Sequence, residues 1–387
     1  MKIPQEIKDW QDEFIQIRHF LHQYPEIGLQ ERQTADFIAN KLSSWGYEVH
    51  APIGPTGVVG QIKKGHSDKK IGLRADMDCL PIQEETDLPY ASQNPGFMHA
   101  CGHDGHMTVL LAAARYLALK QNFDGTLNVI FQPGEEGLHG APKMIADGLF
   151  DKFPCDQIFG FHNWPNFQKE MIYIEPGVIM ASSDRLKIVI QGHGGHASAP
   201  DKCLDPTIIG SQLINNLQTI VSRNVNPQKA AVITVGSFIA GDGSTYNVIP
   251  DTATILLSIR TLDKKVRQLV LKRVKDMING LAQAYNVPIK IKHRLISLPA
   301  QNEIQATTFA QKVAQTVFGN DHVNTHFEPV MASEDFAFML DKVPGCYALM
   351  SNGPSDAYLH SSKYNFNDSI IAPMATYFIK LVETYLG

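Results

Sequence analysis

The chain has 387 residues, more than one ordinary hydrophobic core accommodates, so two domains are expected. Hydrophobic residues make up 44% and charged residues 19%, and 34 basic against 39 acidic side chains leave a net charge of -5, which excludes a disordered chain and a basic binder of nucleic acid or anionic membrane. No apolar run reaches the roughly 18 residues of a membrane span, no signal peptide is expected, and five scattered cysteines point to a reduced, cytoplasmic setting rather than a disulfide framework.

Trp10, Phe14, Ile17 and Leu21 recur at helical spacing, and a second helix is predicted over Glu31–Trp45, stopping at Gly46. Short apolar runs follow at Val58–Ile62, Ile71–Ala75, Leu127–Phe131, Gln157–Phe161 and Tyr347–Met350. Helical patterns near 106–119, 140–147, 303–318 and 369–386 separate or flank them, which predicts an α/β domain with a largely buried sheet. The middle differs. Strands at Arg185–Gln191, Ala231–Ile239, Asp251–Arg260 and Pro288–His293 and helices at Asp205–Arg223 and Lys264–Tyr285 follow the order β-α-β-β-α-β, a small split βαβ sandwich with helices on one face. The expected organisation is a discontinuous domain, residues 1–181 and 296–387, with a second domain inserted at 182–295.

Four of the apolar strands run into polar, ligand-type clusters: Asp76-Met77-Asp78, Gln132-Pro133-Gly134-Glu135-Glu136, His162-Asn163, and Ser351-Asn352-Gly353 with Leu359-His360 behind it. Sites in open α/β sheets form at the carboxyl ends of strands, so these clusters predict a common site. Between the first two lies His99-Ala100-Cys101-Gly102-His103-Asp104-Gly105-His106. In an extended loop Cys101 and His103 face one side and grip one metal; the bland reading is a turn with a buried Cys and a helix-starting Asp. Glu135 and Glu136 on extended backbone would point apart, one toward metal and one toward a proton; the bland reading is a solvated helix start. In the inserted segment, Gly192-His193-Gly194-Gly195-His196 reads either as a loop that approaches a ligand or as a hairpin turn with exposed histidines. Asn247 ends a Gly-rich loop. Arg260 ends an apolar strand, where it either binds a carboxylate or makes a sheet-edge salt bridge. The chain lacks Gly-x-Ser-x-Gly and a phosphate loop, and a Cys101 thiol nucleophile leaves the Glu pair, His162 and His360 unexplained.

The ordered set Arg18-His19-Phe20-Leu21-His22-Gln23-Tyr24-Pro25-Glu26, Leu73-Arg74-Ala75-Asp76-Met77-Asp78, His99 to Asp104, Pro133-Gly134-Glu135-Glu136-Gly137, Gly195-His196-Ala197 and Ser333-Glu334-Asp335-Phe336 resembles the M20 metallopeptidases. Within them it is similar to the amidohydrolase branch of hippurate hydrolases, N-acyl-amino-acid deacylases and indole-acetyl-amino-acid hydrolases. The resemblance implies a zinc-peptidase-like catalytic domain with a mixed sheet flanked by helices, plus an inserted α+β lid and dimerisation domain. It implies two divalent ions, zinc or manganese with cobalt or nickel as options, on Cys101, His103, Glu136, His162 and His360. It implies Glu135 as general base, His196 as a lid residue reaching the substrate carbonyl, Asn247 and Arg260 as holders of the substrate carboxylate, and Asp78 as an acid behind the ligands. The implied activity is hydrolysis of small N-acyl amino acids by a homodimer or larger homo-oligomer, with a dipeptidase or carboxypeptidase as the alternative and a non-catalytic metal-bearing binder behind both. The wider family carries His-x-Asp where this chain has Asp76-Met77-Asp78, a departure that fits the amidohydrolase branch.

Overall fold

A computed structural model describes residues 2–387. Its large mixed sheet has eight strands in the order Glu48–Ile53, Gly57–Lys64, Gly125–Gln132, Lys70–Asp76, Gln157–Pro165, Gly345–Gly353, Ile172–Tyr173 and Val323–Asn324. The four consecutive strands from Gly125–Gln132 to Gly345–Gly353 are mutually parallel. Their carboxyl ends therefore lie on one edge, and these are the four strands that the sequence ends in polar clusters. Both faces of these strands are covered: the Gly125–Gln132 strand is buried at every position. A strand buried on both sides reads as a continuous apolar run rather than an alternating one.

The His103–Lys120 helix is buried along nearly its whole length and packs against the Gln11–Gln23 and Ile371–Tyr385 helices. It is rich in Ala, Leu, Val and Met on every side, which is the composition of an interior helix. The sequence does not announce the Glu48–Ile53 strand. It pairs antiparallel at the outer edge of the sheet, is exposed at half of its positions and contains Pro52, which an edge tolerates.

The chain divides into two units. One comprises the chain up to Gly177, Gln301–Glu328 and Asp335–Gly387; the other comprises Val178–Ala300 and Pro329–Glu334. The second unit holds an antiparallel sheet in the order Ala231–Ala240, Thr252–Thr261, Ser182–Gln191, Ile289–Ser297. Leu186, Ile188 and Ile190 alternate into its core and meet Leu213, Leu217, Val270 and Val274 from the Pro206–Arg223 and Lys264–Tyr285 helices. Asp205 and Asp263 cap those helices by accepting backbone N–H bonds, and Pro206 occupies a first-turn position where no N–H is needed. Among the described residues no helix is long and apolar enough to cross a membrane.

Candidate metal centre and active site

The site grows from the shared strand edge. Asp76 closes its strand, Gln132 closes the next, and His162 and Asn163 lie near the end of the third. Cys101, His103 and His162 each bring one donor atom into a group whose members all lie within 4.8 Å of one another. Cys101, Glu136 and His360 form a second such group, and His103, Glu135 and Glu136 a third. Cys101 belongs to two of these groups, so its sulfur stands between the imidazole and the carboxylate sides.

The local backbone differs from the extended picture. Gly102 adopts φ +91° and His103 is already the first residue of its helix, so Cys101 and His103 converge through a left-handed corner. A Cβ at Gly102 would meet the Asn163 side chain at 2.5 Å, so only glycine lets the loop approach that strand. Gly105 lies inside the helix, where Phe366 fills the space of its missing side chain. Glu135 and Glu136 sit in a turn between Gly134, φ +56°, and Gly137, φ +74°. The Gly137 N–H donates to the Glu135 carbonyl at 2.5 Å, so turn geometry, not strand alternation, aims the two carboxylates.

The hydrogen bonds fix how the imidazoles present themselves. His103 Nδ1 donates to the Asp78 carbonyl at 2.8 Å, and His162 Nδ1 donates to the Asn163 carbonyl at 2.6 Å. Each ring thereby turns Nε2 inward; that of His162 lies 3.3 Å from Cys101 Sγ, and that of His103 has no hydrogen bond. Backbone carbonyls holding the outer nitrogen are the usual support of metal-binding histidines. Glu136 Oε1, 3.2 Å from His360 Nε2, and Asp78 Oδ1 are likewise buried without a hydrogen bond. Asp78 also accepts the Glu136 N–H through Oδ2 at 2.9 Å, so it braces two of the donors at once. The donor set of one thiol, three imidazoles and one carboxylate, with buried polar atoms left open, fits divalent metal ions.

The charges agree. Burial, then the neighbouring Glu136 and Glu135, push the Cys101 thiol well above its ordinary range. A thiolate there needs a cation beside it, which weakens Cys101 as a stand-alone nucleophile. Burial favours neutral His103, but Asp76 and Asp78 outweigh it and push the ring up to about 10, a proton that a cation at Nε2 would replace. Burial, reinforced by His106, holds His162 well below the usual range, in the neutral form that ligates.

Glu135 accepts the backbone N–H of Asp335 at 3.2 Å. The Asp335 carboxylate is itself held by Gln132 Nε2 at 2.6 Å and the Ala141 N–H at 3.1 Å, with Arg74 at 3.5 Å. Sequence reasoning did not weigh this support. Arg74 was visible as a charge inside an apolar strand, and a buried guanidinium demands acids around it. A second omission is the chain of Asp76, His106, Asn163 and Tyr364. Asp76 Oδ1 meets His106 Nδ1 at 2.6 Å, His106 Nε2 meets Asn163 Oδ1 at 2.5 Å, and Asn163 donates to the Tyr364 hydroxyl. His106 follows His103 by three residues, one helical turn, which was the available signal.

In the inserted unit, exposed His196 forms a two-residue strand against Val248–Ile249. Its Nδ1 accepts the Ser198 N–H at 3.1 Å, which leaves the Nε2 side of the ring free to donate. Asn247 lies alongside, its carbonyl accepting the Ala197 N–H. Arg260 sits on an inner strand, not at a sheet edge, and donates to the Met331 carbonyl at 2.7 Å. Burial and nearby Arg185 lower its pKa.

A sequence profile of peptidase family M20/M25/M40 matches residues 72–384. Hippurate hydrolase of Campylobacter jejuni is 50% identical over 386 residues, covering 100% of both chains. N-acetyl-L-cysteine deacetylase of Bacillus subtilis is 38% identical over 379 residues, covering 97% of this chain and 88% of that one. The crystal structure of the Bacillus subtilis YXEP protein, described as a dinuclear metal binding peptidase from the M20 family, superposes with a TM-score of 0.83 at 31% identity, covering 98% and 99% of the two chains.

Proposed function

The chain belongs to peptidase family M20/M25/M40, and on that premise we propose that it is a metal-dependent amidohydrolase that splits N-acyl amino acids. The observation that carries the reading is the convergence of Cys101, His103, Glu136, His162 and His360, with Glu135 beside them on its own hydrogen bond. These five residues would hold two divalent ions; thiolate and imidazole suit zinc, while the carboxylate also accepts manganese. Bound ions of this kind supply Lewis acidity, acidifying water and polarising a carbonyl.

The chain's own groups do the rest. Glu135 takes the proton of the attacking water and returns it to the departing amine, a role closed to a carboxylate spent on a metal. The Asp335 N–H keeps its carboxylate turned to that task. His196 offers its Nε2–H to the carbonyl oxygen as charge builds there. Arg260 and Asn247 take the amino acid's carboxylate, Arg260 with the donors that Met331 leaves open. The inserted unit pairs two copies of the chain.

Changing Glu135→Gln should lower kcat by about a hundredfold or more, with KM and two bound ions per chain retained. Full turnover by that variant, with metal content verified by elemental analysis, would remove Glu135 from the mechanism. The assay panel is benzoyl-glycine, N-acetyl amino acids and dipeptides; a preference for dipeptides would return the chain to the peptidase reading.

A further inference from the structure

In an N-acyl amino acid the acyl group starts at the scissile carbonyl, so the side chains beside the donor cluster choose it. His162 and Trp164 are two apart on one strand and share a face. Their rings meet edge-on, centroids 5.8 Å apart at 67°. Tyr358 stands edge-on to Trp164 at 6.3 Å and 87°, two residues before His360. The His360 N–H donates to the Ala100 carbonyl at 2.8 Å, which ties Tyr358's loop to the Cys101 loop. Asn166 joins the remaining loops, its N–H donating to the Gly353 carbonyl and its Oδ1 accepting the Ser355 N–H, both at 3.0 Å. Phe167 adds a third ring, 6.0 Å from Trp164 at 34°.

The exposures along this row are graded. Trp164 is 6% exposed and Tyr358 50%. A rigid buried indole thus carries a half-open phenol at the border of the candidate donors. Aromatic rings accept further rings edge-on or offset at such separations, whereas a methyl group leaves those faces wet.

We propose that Trp164 and Tyr358, with Phe167 behind them, form the acyl subsite, and that it selects an aromatic acyl group such as benzoyl over acetyl. The assignment rests on the amidohydrolase reading and narrows its substrate class. The scissile amide then lies between an aromatic end, held by these rings, and a carboxylate end.

The test compares kcat/KM for benzoyl-glycine and acetyl-glycine in the metal-replete wild type, in Tyr358→Ala, and in Trp164→Leu. Wild type should prefer benzoyl-glycine. The benzoyl-to-acetyl ratio should fall about tenfold in Tyr358→Ala and further in Trp164→Leu. Tyr358 is largely at the surface, so its variant reports even where Trp164→Leu folds poorly. Calorimetric titration with benzoyl-glycine, acetyl-glycine and benzoate reads the same discrimination without turnover and should show weaker benzoyl binding in Tyr358→Ala. An unchanged ratio in both measurements overturns the subsite. Loss of turnover on every acyl-glycine in the wild type, with benzoyl discrimination still present in the titration, sinks the amidohydrolase reading and leaves the aromatic site standing.

Discussion

His22 is buried between two carboxylates. Its Nδ1 lies 2.8 Å from Asp104 and its Nε2 3.1 Å from Glu84. Burial and the nearby Arg18 oppose a charge on the ring, yet Asp104 and Glu84 outweigh them and raise it to about 9. Asp104 also takes Arg18 at 3.2 Å, and Glu84 anchors its own loop by accepting the Ser92 N–H. This cluster fixes the start of the helix that carries His103. A histidine raised above its unfolded value of about 6.5 adds stability that is complete below that pH and is lost as pH climbs through about 9. The shift corresponds to about 3 kcal/mol for a group this buried. Denaturant unfolding at pH 6.5 and pH 9 should therefore show a loss in wild type that His22→Gln lacks. Equal losses in both proteins would place the charge elsewhere. At this scale the sequence showed types without partners: neither the metal reading nor the bland reading of the Cys101 segment gave Asp104 its contacts with Arg18 and His22, which span 86 and 82 residues. The adjacent Glu135 and Glu136 were legible as a pair, but their aim depends on two left-handed glycines that alternation does not encode.

The inserted sheet shows what an element-scale pattern reveals. One face packs on two helices, so its strands alternate and could be read from residues such as Leu186, Ile188 and Ile190. The other face sets like charges across the ladder: Lys187 pairs with Lys292, and Arg185 with Arg294. Cross-strand like charges are destabilising, and periodicity cannot foresee them because it does not give the register. Both lysines are exposed, so the expected effect is small. Lys292→Glu should stabilise the protein by about 0.5 kcal/mol at low salt, with the gain shrinking as ionic strength rises. A gain that survives high salt would point to strand propensity instead. The large sheet posed the opposite problem: its parallel strands announced themselves as apolar runs, whereas the exposed Glu48–Ile53 edge carried no such signal.

At the scale of the whole chain, the order of elements betrayed an inserted β-α-β-β-α-β segment, but Pro329–Glu334 packs with that unit through contacts no periodicity marks. Val330 donates to the Ile179 carbonyl and Ala181 to that of Ala332. The same unit leaves large apolar groups in water. Ile239 is 60% exposed on the edge strand, and Ile208 is 52% exposed on the helix that packs beside it. Phe238, itself 38% exposed, approaches the helix at Gly210 on the helix-covered face, while Ile239 next to it points to the other face of the same edge strand. An unpaired edge strand flanked by apolar side chains invites a second copy of itself, and a two-fold pairing would bury both edges at once. Sedimentation should therefore find wild type as a dimer. Ile239→Glu should weaken association by about tenfold or more, because pairing would bury two added charges across the axis. Circular dichroism should stay unchanged, since that side chain supports no core. A monomeric wild type, or a dimer indifferent to charge at both Ile239 and Ile208, would move the interface off this edge and leave the exposed strand guarded by its twist alone.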